Sequence, residues 1–182
     1  MKNTNAQYDE VISQSREIFR LKTTDYGTAW RILRPSSLTD QIFIKASRIR
    51  SIQEKGEMKV QESIEGEFKA MVNYSLMAMI QLEIPVEDAS YEMPHDQLFE
   101  AYDNYATLTK NLMLNKNHDY GEAWRDMRIS SMTDLILMKL LRIKQIEEND
   151  GQTLISEGLV ANYQDILNYS VFALILISEG KN

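Results

Sequence analysis

Lys116-Asn117-His118-Asp119-Tyr120-Gly121-Glu122-Ala123-Trp124-Arg125 has an earlier copy in the same chain, Lys22-Thr23-Thr24-Asp25-Tyr26-Gly27-Thr28-Ala29-Trp30-Arg31. The offset of 94 residues holds without a gap through Arg34/Arg128, Ser36/Ser130, Thr39/Thr133, Asp40/Asp134, Lys45/Lys139, Arg48/Arg142 and Ile49/Ile143. After one inserted residue the register returns at Glu62/Glu157 and at Asn73-Tyr74-Ser75/Asn168-Tyr169-Ser170. Roughly half of the aligned positions are identical, far above chance for an internal repeat. The chain is a duplicated unit. Residues 1–84 form the first repeat, 85–95 an acidic, proline-flanked linker, and 96–182 the second.

Composition narrows the function classes. The 182 residues, 43% apolar and 26% charged, are those of an ordinary globular protein with enough chain for a real core. There is no cysteine. That removes disulfides and thiolate metal sites, and a reducing, cytoplasmic setting is expected. No basic segment followed by an apolar one opens the chain, so no secretory signal is expected. The longest apolar run, residues 171–177, is short of the roughly 20 residues a bilayer span needs, so no membrane partner is expected. A net charge of −7 argues against non-specific binding to nucleic acid, which rests on phosphate neutralisation. A small anionic ligand held by a few local basic groups stays open.

Helical periodicity runs through both repeats, and strand-like alternation is absent. The first helix of each unit is expected over about residues 8–21 and 97–114. The Asp-Tyr-Gly segment then turns the chain into a short helix carrying Ala29-Trp30. Proline disfavours α conformation in the residue before it, so that short helix should stop near Arg34. Ser37 stands three residues before Asp40, and Ser131 three before Asp134, the spacing of a capping box. A second helix should follow in each unit, ended by Gly56 and by Asn149-Asp150-Gly151. The third helix is expected over about residues 60–83 and 155–179. Its C-terminal half is apolar nearly all round, and such a helix must be enclosed by others. A three-helix unit cannot do that alone, so the two third helices are expected to pack on each other. The fold expected is all-α, a bundle of two tandem repeats with pseudo-two-fold symmetry, an intrachain pseudo-dimer that leaves a further homo-oligomer open.

Each motif admits a structural and a functional reading. Asp25 and Asp119 can cap the short helix, with Glu122 completing a box, while Gly27 and Gly121 supply the turn and Tyr and Trp anchor it. Alternatively, the aromatic pair stacks on a base beside Arg31 and Arg34, which can hold phosphate. Lys45 with Arg48, and Lys139 with Arg142, share a helix face. They are either ion-pair partners of the third helix or phosphate ligands lining a cleft. Glu62 and Asn73 would share one face of the third helix, as would Glu157 and Asn168, roughly 16 Å apart along the axis. An amide in so apolar a run must find a hydrogen-bond partner, so Asn73 and Asn168 read as interface residues. His95 and His118 have no neighbours that suggest a triad, and no phosphate loop, dinucleotide fingerprint or zinc spacing occurs.

The pattern Lys-x-x-Asp-Tyr-Gly-x-Ala-Trp, then Asp-x4-Lys-x2-Arg, then Glu before an Asn-Tyr helix, resembles the nucleotide modification associated domain, first family, a domain often found duplicated. The likeness covers nearly the whole chain. The family is linked to nucleotide and base modification and is similar to all-α nucleotide pyrophosphohydrolases of the MazG and dimeric dUTPase kind. Those enzymes hold Mg²⁺ with helix-borne carboxylates and cleave the α–β phosphate link with a metal-activated water. The family's third helix tends to read Glu-Ser-x-x-Asp-x3-Asp-x2-Asn-Tyr. Here the leading acid is Glu62 and Glu157, the next is replaced by Gly66 and Ala161, and the last is replaced by Ala70 but kept as Asp165. Glu65 and Glu67 flank the gap but point away from that face by roughly 100°.

The resemblance therefore implies a small-molecule nucleotide ligand, with Mg²⁺-dependent pyrophosphohydrolysis as the associated chemistry. Tyr26, Trp30, Tyr120 and Trp124, beside Asp25 and Asp119, would hold the base. Arg31, Lys45, Arg48, Arg125, Lys139 and Arg142 would hold phosphates, and Glu62, Glu157 and Asp165 the metal. Unit two, which keeps Asp165, is the expected active copy. The competing expectation is a non-catalytic helical interaction module in which the same motifs only build the fold.

Overall fold

Six α-helices and two short 3₁₀ helices account for the regular structure in the computed structural model, which describes residues 3–181, and no strand occurs among them. Unit one comprises α1 (Thr4–Tyr26), a 3₁₀ turn (Ala29–Ile32), α2 (Pro35–Lys55) and α3 (Ile64–Glu83). Unit two repeats the order with α4 (His95–Tyr120), a 3₁₀ turn (Ala123–Asp126), α5 (Ile129–Glu148) and α6 (Leu159–Ser178).

Local chemistry sets these boundaries, and several differ from the expected ones. The first helices run through the Asp-Tyr pair of the motif, until Gly27 (φ 62°, ψ −139°) and Gly121 (φ 63°, ψ 32°) end them. Asp25 and Asp119 consequently lie in the last turns of α1 and α4 and cap nothing. Thr28 and Glu122 are the N-cap residues of the 3₁₀ turns, with no capping hydrogen bond from their side chains. The expected capping boxes are also absent. Pro35 occupies the first turn of α2, where its missing N–H costs nothing, and Ser37 falls inside the helix. Gly56, in the left-handed region at φ 71°, closes α2.

The third helices start four residues later than periodicity suggests. Ser63 Oγ accepts from the Gly66 N–H and fixes the N-terminus of α3, while Gly158 is the extended N-cap of α6. Upstream, the carbonyls of Val60 and Glu62 accept from Arg48 Nη2 at 3.2 and 2.7 Å, so that backbone is committed to a tertiary contact. Glu62 and Glu157 are therefore loop residues and share no helix face with Asn73 and Asn168. At the other end of α3, Ile84 precedes a proline and is extended, which stops the helix.

Packing is in three layers. α3 and α6 lie against each other at the centre, α2 and α5 cover one side, and α1 and α4 each touch both central helices on the other. Met71, Leu76, Met79, Ile80, Leu167, Val171 and Ile175 are fully buried. Each such side chain contributes about 1.5–3 kcal/mol relative to exposure, so the central pair is a major source of stability. α6 has the length and apolar composition of a membrane span, but 72% of that stretch is buried inside the bundle.

The polar groups in this core are exchanged between units. Asn73 donates to the Ser15 carbonyl of its own unit (2.9 Å) and accepts from the Tyr102 hydroxyl of the other (2.7 Å). Asn168 donates to the Thr109 carbonyl (3.3 Å) and accepts from the Tyr8 hydroxyl (2.7 Å). Burial pushes both phenols far above their ordinary range, so they remain donors at any working pH. Tyr8→Phe or Tyr102→Phe should each cost about 1–3 kcal/mol in urea unfolding, because a buried amide oxygen loses its donor.

Between α2 and the second unit, the Thr39 hydroxyl donates to Glu147 (2.9 Å) and lies 2.5 Å from the Tyr163 hydroxyl. Burial raises the Glu147 carboxyl above the usual range, against the opposing hydrogen bond from Thr39. An acid raised in the folded state contributes stability below its unfolded pKa and loses it as pH rises through the folded value. Glu147→Gln, which keeps an acceptor for Thr39, should melt with wild type near pH 4 and above it at pH 7–8.

Candidate functional site

The arginines that follow each Ala-Trp act as braces. Arg31 is 3% exposed and donates to Gln81 Oε1 (3.0 Å) and to the carbonyls of Ile84 (2.9 Å) and Pro85 (3.0 Å), tying the 3₁₀ turn to the end of α3. Gln81 returns bonds to the carbonyls of Arg31 and Leu33, both at 2.7 Å. Arg125 donates to Glu122, Glu179, Gln7 and Thr4, and lies over the Trp124 ring at 4.5 Å. It binds the same turn of unit two to both the end of α6 and the start of α1. Sequence offered these two as phosphate ligands, and the structure engages their donors in the fold.

The remaining cations are sorted by one carboxylate that stands at different positions in the two units. In unit one the acid is Glu67, whose counterpart is Asn162. In unit two it is Asp165, whose counterpart is Ala70. Glu67, 3% exposed, faces α2 and lies 3.4 Å from both Lys45 Nζ and Arg48 Nη1. Asp165, 6% exposed, receives Lys116 and Lys139, each at 2.7 Å. Two cations are thus held in each unit, but not the same two. Lys22, the counterpart of Lys116, and Arg142, the counterpart of Arg48, have no ion pair among the described residues. Lys116 is held protonated: its partial burial is the largest single influence and opposes the charge, but the Asp165 hydrogen bond and the negative charges of Asp165 and Glu157 together outweigh it.

Beside Lys22 the unit-one motif opens a cavity of about 410 Å³ between α1 and α3, within the size range of small-molecule sites. Ile18, Phe19, Trp30, Tyr74 and Met77 line it, together with Tyr26, which is three-quarters exposed. Gly66 and Ala70 leave room where longer side chains would intrude. Unit two differs at the matching positions. Phe172 replaces Met77 and lies flat on Trp124, with centroids 4.2 Å apart and planes 4° off parallel. Trp124 is 5% exposed, whereas Trp30 is only partly covered. Lys116 reaches in to Asp165 where unit one has the Ala70 methyl. Tyr120 is exposed, and Asp119 lies 3.1 Å from His118 Nδ1 at the surface.

Unit two has a different cleft, about 730 Å³, between α5 and the 149–157 loop, with Arg142, Lys139, Gln145, Asn149 and Asn162 on its walls. Asn162 is buried and donates to the carbonyls of Glu157 and Gly158. In unit one Arg48 bonds the equivalent loop and Glu67, where Arg142 stays exposed.

The three carboxylates proposed for a metal are not assembled. Glu62 and Glu157 lie in exposed loops of different units, and Asp165 carries two lysines. No group of three metal-ligating side chains occurs among the described residues. Mg²⁺ is held by carboxylates with open coordination positions, and these residues as arranged do not fit it. Sequence reading gave no site role to Lys22, Ala70, Met77 or Glu67, although it noted Ala70 against Asp165. The signal available was the Glu67/Asn162 and Ala70/Asp165 exchange, seen by aligning the repeats.

Removing an acid should expose the difference between the two clusters. Asp165→Asn strands the nearly buried Lys139 and is expected to cost about 3 kcal/mol in denaturant unfolding. Glu67→Gln should cost under about 1 kcal/mol, because Lys45 and Arg48 keep about a quarter of their side-chain surface in water.

Neither a curated protein nor a solved structure matches the chain. The model of one family does, twice, over residues 22–82 and 116–177, the segments from the Lys-x-x-Asp-Tyr-Gly motif to the end of each central helix. The chain belongs to the nucleotide modification associated domain 1 family and carries that domain in two tandem copies.

Proposed function

We propose that this protein binds a nucleotide, one per chain, in the unit-one cavity, with the two halves acting as a pseudo-two-fold scaffold. The observation that carries the reading is a cavity walled by the repeated motif's own aromatic side chains with an ion-pair-free lysine in its lining. Trp30 would be the ring on which a base stacks, and the exposed Tyr26 would cover it. Base–aromatic stacking is worth about 1–3 kcal/mol per base and tolerates any base. Lys22 is the point charge for a phosphate. The family's description supports a nucleotide as the ligand class. The cysteine-free composition fits a reducing, cytoplasmic setting.

The likeness to MazG-type pyrophosphohydrolases would add metal-dependent hydrolysis. The acids that would hold that metal are dispersed in exposed loops or paired with lysines. A second reading, a non-catalytic interaction module, is favoured by one observation: Arg31, Arg125, Lys45 and Lys139, all offered as phosphate ligands, are engaged by the fold.

Thermal shift against the common nucleotides, with and without Mg²⁺, separates the two. A ligand at a hundred times its Kd should stabilise by about 2.7 kcal/mol. Met77→Phe, which installs the unit-two residue, should abolish the shift while leaving the protein folded. Arg142→Ala should leave the shift intact. No shift with any nucleotide at millimolar concentration would defeat the reading and leave the interaction module standing.

A further inference from the structure

We infer that the unit-one cavity selects a nucleoside monophosphate over the corresponding di- and triphosphate, an inference that rests on the nucleotide reading above. Among the described residues Lys22 is the single charged one lining the cavity. The flanking cations of α2, of the start of α3 and of the 3₁₀ turn are engaged elsewhere, and Arg34, exposed, is not part of the lining. Lys69 pairs with Glu65 at 2.9 Å, Lys45 and Arg48 with Glu67 at 3.4 Å, and Arg31 with Gln81 and two carbonyls.

The start of α3, which reaches the cavity through Gly66, offers no substitute. The Gly66 N–H is taken by Ser63 Oγ at 2.9 Å, and Glu65 and Glu67 occupy the first turn, where they oppose the helix's positive end for any incoming anion. Among the described residues no carboxylate lines the cavity to hold a bridging divalent ion. One phosphate therefore finds one ammonium, and a second or third finds neither a cation nor a metal on these walls. The protein's net charge of −7 adds a general cost to each further negative group.

The same chemistry explains why the selection is confined to unit one. Its Ala70 leaves Lys22 without the acid that neutralises Lys116. The single lysine is a specificity-determining residue by virtue of what is missing beside it.

The test is isothermal titration of the whole chain with a matched series on one base (nucleoside, monophosphate, diphosphate, triphosphate), repeated for each base and with Mg²⁺. The monophosphate should bind about tenfold tighter than the nucleoside, the scale of one charge-assisted hydrogen bond. The di- and triphosphate should bind no tighter than the monophosphate. Lys22→Met, at an exposed position with no ion pair to lose, should bring the monophosphate down to the nucleoside and leave the nucleoside unchanged. A triphosphate binding tenfold tighter than the monophosphate, or a monophosphate unaffected by Lys22→Met, would overturn the inference while leaving nucleotide binding intact. Absence of binding across the series would remove the nucleotide reading and this inference with it.

Discussion

Two helices without a polar side, α3 and α6, set the terms for the rest of the molecule. Each is apolar around its circumference in its second half, and neither unit has enough helices to surround its own. Placing them against each other solves the problem for both, with α2, α5, α1 and α4 completing the cover. The burial leaves Asn73 and Asn168 in an apolar interior, where an unpaired amide would be costly. A tyrosine from the opposite half reaches each of them, so the polar requirement of one unit is met by the other.

Against that shared frame the two units differ in the position of one carboxylate. At position 67 it holds the two cations of α2 and leaves α1's lysine alone. At position 165 it holds one cation from α4 and one from α5, and leaves Arg142 alone. A shift of less than one helical turn changes which side of the central helix carries the ion pairs. The open apolar cavity of unit one and the open polar cleft of unit two both follow, aided by the exchange of Met77 for Phe172.

Much of this was legible in the sequence, and the rest was hidden for definite reasons. Helix content, the duplication and the meeting of the central helices follow from periodicity and repeat spacing, which are local or self-comparing signals. The interface role of Asn73 and Asn168 follows from an amide's need for a partner. Helix starts at Ile64 and Leu159 depended on Ser63, Gly158 and an arginine reaching from another helix, and periodicity does not see them. Arg31 and Arg125 carry the same charge whether they bind phosphate or brace a turn, and only the distant Gln81 and Glu179 decide. Glu67 lies off the expected acidic face, and its importance emerges from the cations it meets on α2. The cavity itself depends on side-chain volume at Ala70 and Met77, quantities that an apolar pattern treats as equivalent to their larger counterparts.

The crosswise pairing of Tyr8 with Asn168 and Tyr102 with Asn73 has the form of an isologous contact, the kind two identical subunits make. Were the halves separate copies of one polypeptide, any change at one contact would recur at its mate, and an acid could not stand at one level in one subunit and a turn away in the other. Covalent fusion lifts that obligation. It also makes assembly independent of protein concentration, so one half can lose an opening by degrees while its twin keeps one, without the complex dissociating on dilution.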